Sequence, residues 1–399
     1  MRKLIVIIIG YLIACSVYGQ TKQKCCPCAV SETELENYKN EIADYTKAIE
    51  LDPQDARAYI NRGISKNNIQ DYTSSIADFT NAIKIDQHNA KALFYRAYSK
   101  HFLHDFSGAI ADYTKTIDIE PQNTKAYYNR GISKNSLQDY HGAIADYTKV
   151  IEIDQHYTDA FINRGVSKYE LQDYQGAIED YTKVIEIEPQ NAEAYYNRGN
   201  SKIDIQDYLG AIADYTKAFE IDQNYTDAYF SRGVAKDEIQ DYQGAIEDYT
   251  KAIEIEPQDE SIYFNRGLSK YNFQDYKSAL SDYTKAIEID PRYARAYNNR
   301  GNTKNELQDY QGAIADYTKA IELDPQEAEP FYNRGSSKDD LQDYLGAVAD
   351  YTKAIELNPQ DADVYNNRGL SMHSLQDYHG AIADYTKAIE LDPQFAMAY

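Results

Sequence analysis

The stretch Ala294–Glu327, ARAYNNRGNTKNELQDYQGAIADYTKAIELDPQE, decides the fold. Its first half places Tyr297, Arg300, Gly301, Lys304 and Leu307 at steps of three and four residues, one stripe of a helix. Gln308-Asp309-Tyr310 then interrupts, with Asp309 suited to cap a second helix. The second stripe is Tyr310, Ala313, Ile314, Tyr317, Ala320 and Ile321. Asp324-Pro325 closes it, because proline cannot continue a helix and restrains the residue before it. Gly301, Gly312 and Ala313 are small where two helices would approach, and close packing offsets the helix propensity that glycine gives up. The stretch reads as an antiparallel helical hairpin.

This stretch is one copy of many. Arg62, Arg96, Arg130, Arg164, Arg198, Arg232, Arg266, Arg300, Arg334 and Arg368 are spaced by 34 residues without an insertion. Ten windows run over residues 56–395, preceded by a half-window at 38–55 that matches the second helix only. Residues 396–399 read as the start of a further, truncated repeat, and 20–37 as a cysteine-containing tail and the start of a partial repeat. Repetition also accounts for the 40 tyrosines, most of which are expected to pack between helices.

The pattern resembles the tetratricopeptide repeat family, which reads Trp-x2-Leu-Gly-x2-Tyr, then Ala-x3-Phe, then Pro, over 34 residues. Here the matching positions are Tyr297, Arg300, Gly301 and Lys304, then Ala313 and Tyr317, then Pro325. The resemblance implies an all-α fold, a right-handed superhelical solenoid of antiparallel helix pairs whose first helices line a concave groove. Each repeat would bury its faces on its neighbours.

Two departures from the family pattern carry expectations. The family's leucine is arginine in all ten windows, and its tyrosine is lysine in all but one, which has Met372. An arginine in an interface needs a partner. Each window supplies an aspartate before the second-helix aromatic, and the half-window adds Asp44. Eleven aspartates for ten arginines suit a ladder between repeats, from Asp44–Arg62 through Asp214–Arg232 to Asp350–Arg368. The competing reading is that the arginines line the groove and bind an anion. The second departure is an alternation at the closing turn, where Gln87, Gln155 and Gln223 exchange with Pro121, Pro189 and Pro257. Its expected effect is a slightly looser turn at alternate joints.

Met1-Arg2-Lys3 followed by apolar Leu4–Val17 has the order of an export signal, with cleavage after Gly19. A lipoprotein-like box ending at Cys15 is the alternative. Either reading places the repeats outside the cytoplasm, in the periplasm, the cell envelope or the medium. The apolar run is shorter than a spanning helix requires, and nothing later could cross a membrane. Cys25, Cys26 and Cys28 cluster before the repeats without the second pair that a zinc site draws on.

The 41 basic and 64 acidic side chains give a net charge of −23, which argues against nucleic acid and against an anionic membrane surface. Repeat 294–327 carries six acids and four bases, so the charge belongs to the repeat and is spread along the chain. No catalytic constellation, phosphate loop or cofactor motif is present. His101 and His104 share a helix face, but two imidazoles make a poor metal site.

The family's groove slots fall here on variable residues. They include Lys91, Phe94, Lys125, Tyr128, Tyr196, Asn200, Phe230, Asp237, Glu238, Phe264, Tyr271, Asn302 and Tyr332. The groove so drawn has aromatic anchors throughout, is basic near its start and becomes acidic from about Asp237. The lysine slots of the family's carboxylate clamp hold Ile60, Phe94, Tyr128 and Ile162, so that mode is not expected. The sequence thus predicts a non-enzymatic, cofactor-free scaffold that binds a protein or peptide, with a preference for basic segments in its acidic half. Rival readings are the sensing region of a longer protein and a passive or self-associating array.

Overall fold

The computed structural model describes residues 31–393. The signal segment, Cys15, Cys25, Cys26, Cys28 and residues 396–399 lie outside the described residues. Among the described residues there are helices and no strands. Consecutive helices pair and stack as the solenoid that the repeat implies, within each of two segments, the described residues up to 189 and those from 190 on. The first helix, Glu32–Leu51, opens on a capping box in which Ser31 and Glu34 exchange hydrogen bonds. It takes in residues 32–37, within the stretch read as tail and start of a partial repeat.

Each repeat then has a first helix such as Ala294–Glu306 and a second such as Tyr310–Leu323. The joint between them is the same in every repeat. The residue after the first helix's C-cap is left-handed, with φ near +60°: Gln308 at 60°, and its counterparts from Gln70 to Gln376. The amide of Asp309 reaches back to the carbonyl of Lys304 (2.8 Å) and that of Gln308 to Asn305 (2.9 Å). These two bonds are a Schellman motif, which satisfies carbonyls that the helix end leaves open. Asp309 then caps the second helix by accepting from the Gly312 amide at 3.0 Å.

The two glycines read as packing sites have different reasons. A Cβ on Gly301 would lie 2.6 Å from Cε1 of Tyr317, so this glycine lets the two helices close on the aromatic ring. At Gly312 the near atom is the carboxylate of its own cap, Asp309. Serine occupies that slot at Ser74 and Ser278, so a Cβ is tolerated there and helix approach does not explain Gly312.

Tyr113, Tyr147, Tyr181, Tyr215, Tyr249, Tyr283, Tyr317 and Tyr351 are the largest fully buried side chains. Burying one such ring contributes about 2–3 kcal/mol. Its hydroxyl needs a partner, and the first helix of the same repeat supplies it. Tyr215 donates to Asn200, Tyr317 to Asn302, Tyr249 to Asp237 and Tyr351 to Asp339, at 2.8–3.0 Å. Repeat 260–293 has Leu268 and Tyr271 in those slots, and there the Tyr283 hydroxyl is buried without a partner. In repeat 56–89 the relation inverts: Phe79 brings no hydroxyl, and Nδ2 of Asn67 is left unpaired.

Candidate partner-binding face

The arginines pair within their own repeat, which corrects the expected ladder. Arg300 Nε donates to Asp316 Oδ2 (2.9 Å) and Nη2 to Oδ1 (2.7 Å). Lys304 Nζ lies 2.7 Å from the same carboxylate. The same clamp joins Arg62 to Asp78, Arg198 to Asp214, Arg232 to Asp248, Arg334 to Asp350 and Arg368 to Asp384. Asp44 instead lies 3.8 Å from Lys47 on an exposed surface. The reason is the hairpin: arginine and aspartate are equidistant from the left-handed glutamine, so folding back at that residue sets them level. Between repeats the arginine offers Nη1 to a threonine hydroxyl, as Arg300 does to Thr284 (3.3 Å) and Arg130 to Thr114 (3.0 Å). The guanidinium also lies over the ring three residues earlier, as Arg300 does over Tyr297 at 5.4 Å.

Aspartate and threonine take three of the guanidinium's five N–H donors, and the ring covers one face. The geometry gives these arginines the structural role rather than that of anion ligands in the groove. Asp112 shows the balance of forces: burial raises its pKa, but Arg96 and Lys100 outweigh it and hold the carboxyl below its ordinary value. The last repeat, with Met372 for lysine, keeps only the arginine on Asp384.

A second set of bonds between repeats was not foreseen. At five joints the twelfth residue of one repeat, an asparagine or aspartate, accepts from the serine at the tenth position of the next. Ser99 bonds Asn67, Ser167 bonds Asn135, Ser269 bonds Asp237, Ser337 bonds Asn305 and Ser371 bonds Asp339, at 2.7–2.9 Å. His101 Nδ1 pairs with Ser133 at 3.0 Å, and burial lowers its pKa. Where the twelfth residue is Ile203, the next repeat has Ala235 in place of serine, and the two pack together. That matched exchange was the sequence signal that could have revealed the ladder.

This ladder takes Asp237 out of the groove. Its carboxylate accepts from the Ser269 and Tyr249 hydroxyls, and burial pushes its pKa up to about 7. Asp339 is raised by burial in the same setting. The acidic residues that reach solvent are their neighbours Glu238 and Asp340, and Glu306.

The aromatic anchors divide by exposure. Tyr196 and Phe264 are 3% and 4% exposed, and Asn200 is buried beside Tyr215, so these three are not free for a partner. The tyrosine at the next joint covers each ring: Tyr225 on Tyr196 and Tyr293 on Phe264, both at 5.0 Å, and Tyr157 on Tyr128 at 5.3 Å. These joints do not coincide with the Gln/Pro alternation, since Gln87 precedes the capping Asn89 and Pro291 precedes Tyr293. Tyr157, Tyr225 and Tyr293 stand where Asn89, Asn123, Asn191, Asp259 and Asp361 cap a first helix, and they form no such cap. The three tyrosine joints thus exchange a capping bond for a ring contact. Phe94, Phe230 and Tyr332 lack that cover and are partly exposed, leaning on Tyr113, Tyr249 and Tyr351. Tyr271 and Asn302 are partly exposed and bonded, Tyr271 to Glu306 (3.4 Å) and Asn302 to Tyr317. Lys91, Lys125 and Glu238 are exposed.

Among the described residues no group of three His, Cys, Asp or Glu could hold a metal ion, and no helix is long and apolar enough to cross a membrane.

Models of the tetratricopeptide repeat match residues 124–157, 294–327 and 362–395, and residues 31–55, 56–89 and 192–225. A further TPR repeat model matches 167–204, 238–272, 274–307 and 340–376. No curated protein sequence matches the chain. Among solved structures, the chain is similar to the MamA protein (28% identity, TM-score 0.41, covering 43% of this chain and 94% of that one). It is also similar to YrrB, described as a TPR protein with an unusual peptide-binding site (24% identity, TM-score 0.42, 46% and 95% covered). A tetratricopeptide repeat protein from Parabacteroides merdae ATCC 43184 is similar over 63% of this chain and 96% of its own, at 21% identity and TM-score 0.47. The register of the repeats, the helical hairpins and the repeat-model matches agree: the chain belongs to the tetratricopeptide repeat family.

Proposed function

We propose that this chain is an exported, non-catalytic scaffold that holds a protein or peptide on the faces of its first helices. One observation carries the reading: each repeat divides into constant residues that are consumed by the fold and variable residues that are not. Arginine, lysine, aspartate and the buried tyrosine are spent on the clamp and the core. Phe94, Phe230, Tyr332, Glu238 and Asp340 differ from repeat to repeat and keep access to solvent. Variable anchors on a constant frame suit recognition, with apolar contacts for affinity and charge for selection. In the later repeats the exposed charge is acidic, which favours a segment bearing Lys or Arg.

The test is fluorescence anisotropy of the full chain with a labelled peptide that interleaves Lys with Phe and Leu. Salt-sensitive binding, weakened about tenfold by Glu238→Lys with Asp340→Lys, is expected. Binding indifferent to salt and to those substitutions contradicts the preference for basic segments. Export is tested by fractionating cells that make the chain with its own N-terminus. A mature protein beginning at Gln20 is expected, and an intact Met1 in the cytoplasm contradicts it.

A further inference from the structure

Arg57, Lys91 and Lys125 occupy the same register on three consecutive first helices. All three are exposed, and none is in an ion pair among the described residues. The arginines and lysines of the clamp, by contrast, are committed to aspartates in the same repeats.

Their position is electrostatically adverse. Each is the second residue of its helix, where the macrodipole presents positive charge and favours an acidic side chain. The next repeats follow that preference, with Asp159, Glu193 and Asp227 in the slot. No cap offsets the cost at Lys91 or Lys125, because Asn89 and Asn123 are neutral. At Arg57 the cap is Asp55, whose Oδ1 is occupied by the Arg57 and Ala58 amides. Three cations without an ion-pair partner among the described residues, two of them at helix starts with neutral caps, suit an anionic partner in a chain of net charge −23.

Aromatic surface accompanies them. Tyr98 and Phe102 follow Lys91 on one helical face, their rings 4.7 Å apart, and Phe102 stacks on Tyr72 of the preceding repeat at 5.1 Å. All three rings are partly exposed. In the other repeats the slot of Phe102 is polar.

We infer that the first three repeats bind an acidic protein segment that also carries apolar side chains. Its carboxylates meet Arg57, Lys91 and Lys125, and its apolar side chains rest on Tyr98 and Phe102. The inference builds on the proposed scaffold function and adds a partner of opposite charge to the one that suits the later repeats. Single-stranded nucleic acid also pairs anions with stacking. Three cations are few against a polyanion repelled by the rest of the chain, so the peptide is favoured.

The test uses the full chain and three labelled probes: a peptide interleaving Glu with Phe and Leu, its Lys counterpart, and a single-stranded oligonucleotide. The acidic peptide is expected to bind in a salt-sensitive manner. Arg57→Glu with Lys91→Glu and Lys125→Glu should weaken it at least about tenfold and leave the Lys peptide unaffected. Thermal melting of that variant should be no lower than wild type, because each substitution follows the helix dipole. If it fails to fold, the Gln triple variant replaces it, with weakening still expected. Acidic-peptide binding that is absent, or unchanged in the variants, overturns this inference while binding of the Lys peptide leaves the scaffold reading standing. Tighter binding of the oligonucleotide also overturns it. Failure of all three probes counts against both.

Discussion

Arg300 and Asp316 face each other across one hairpin, joined by two hydrogen bonds of 2.9 and 2.7 Å, with Lys304 2.7 Å from the same carboxylate. The aspartate is nearly buried, 6% exposed at its side chain, and the arginine is 16% exposed. A carboxylate so placed is tolerable only because three charged donors surround it. The charge interaction therefore closes each hairpin, while neighbouring repeats meet through neutral hydroxyls, serine–asparagine bonds and packed rings. The ion pair serves closure, and stacking rests on neutral partners, among them the threonine that accepts Nη1 of the same arginine.

The left-handed glutamines carry a cost that can be relieved. A residue with a Cβ at φ near +60° is disfavoured by about 1–2 kcal/mol, and glycine is the usual occupant of that helix-end position. Gln308→Gly should stabilise the protein by about 0.5–1 kcal/mol after the greater flexibility of the unfolded chain is deducted. Urea denaturation followed by circular dichroism measures it. A loss of stability would mean that the Gln308 side chain makes a contribution beyond its backbone angle.

The buried tyrosine hydroxyls predict three effects of different sign. Tyr317→Phe leaves Asn302 without its partner and should cost about 1 kcal/mol. Tyr283→Phe removes an orphan hydroxyl and should be neutral or stabilising. Phe79→Tyr offers a hydroxyl to the unpaired Nδ2 of Asn67, as Tyr147 does for Asn135 at 3.3 Å, and should gain about 0.5–1 kcal/mol. Melting temperatures of the three variants in one buffer decide the matter. Equal losses in all three would show that ring shape, and not hydroxyl pairing, sets the ranking.

Asp237 makes stability depend on pH near neutrality. Burial first, against the relief of the Ser269 and Tyr249 bonds, pushes its pKa to about 7. The native state therefore holds its proton between pH about 4 and 7 while the unfolded chain has released it. Its contribution is full below pH about 4 and is lost as pH rises to about 7. Asp237→Asn copies Asn135, which accepts from Ser167 and donates to Tyr147. The substitution should raise stability at pH 8, by up to about 4 kcal/mol, and change little at pH 4. Denaturation midpoints across that range, compared between the two proteins, give the answer. Parallel curves would show that Asp237 keeps an ordinary pKa.

The hairpin and its period were legible because they are carried by spacing. Apolar stripes at helical steps, Asp309 as a cap and Pro325 as a stop act locally, so reading neighbours in sequence suffices. The pairing of Arg300 was misread because a count of eleven aspartates against ten arginines says nothing about which ones stand level. Reflection of Arg300 through Gln308 onto Asp316 would have identified the partner. The burial of Tyr196 and Phe264 was hidden for another reason: the covering rings, Tyr225 and Tyr293, come from the following joint. Their slot alternates between tyrosine and a capping residue, so exposure of an anchor depends on the joint that follows it. Asp237 looked like free groove charge for the same kind of reason, since Ser269 lies one repeat further on.

Double-mutant cycles at Arg300 test the separation of closure from stacking most directly. One cycle pairs Arg300→Leu with Asp316→Asn, and the other pairs Arg300→Leu with Asp282→Asn, the aspartate one repeat earlier. Coupling of about 2–3 kcal/mol in the first cycle and less than about 0.5 kcal/mol in the second is the predicted result. Strong coupling between Arg300 and Asp282, with none to Asp316, would contradict it and place the ion pairs between repeats.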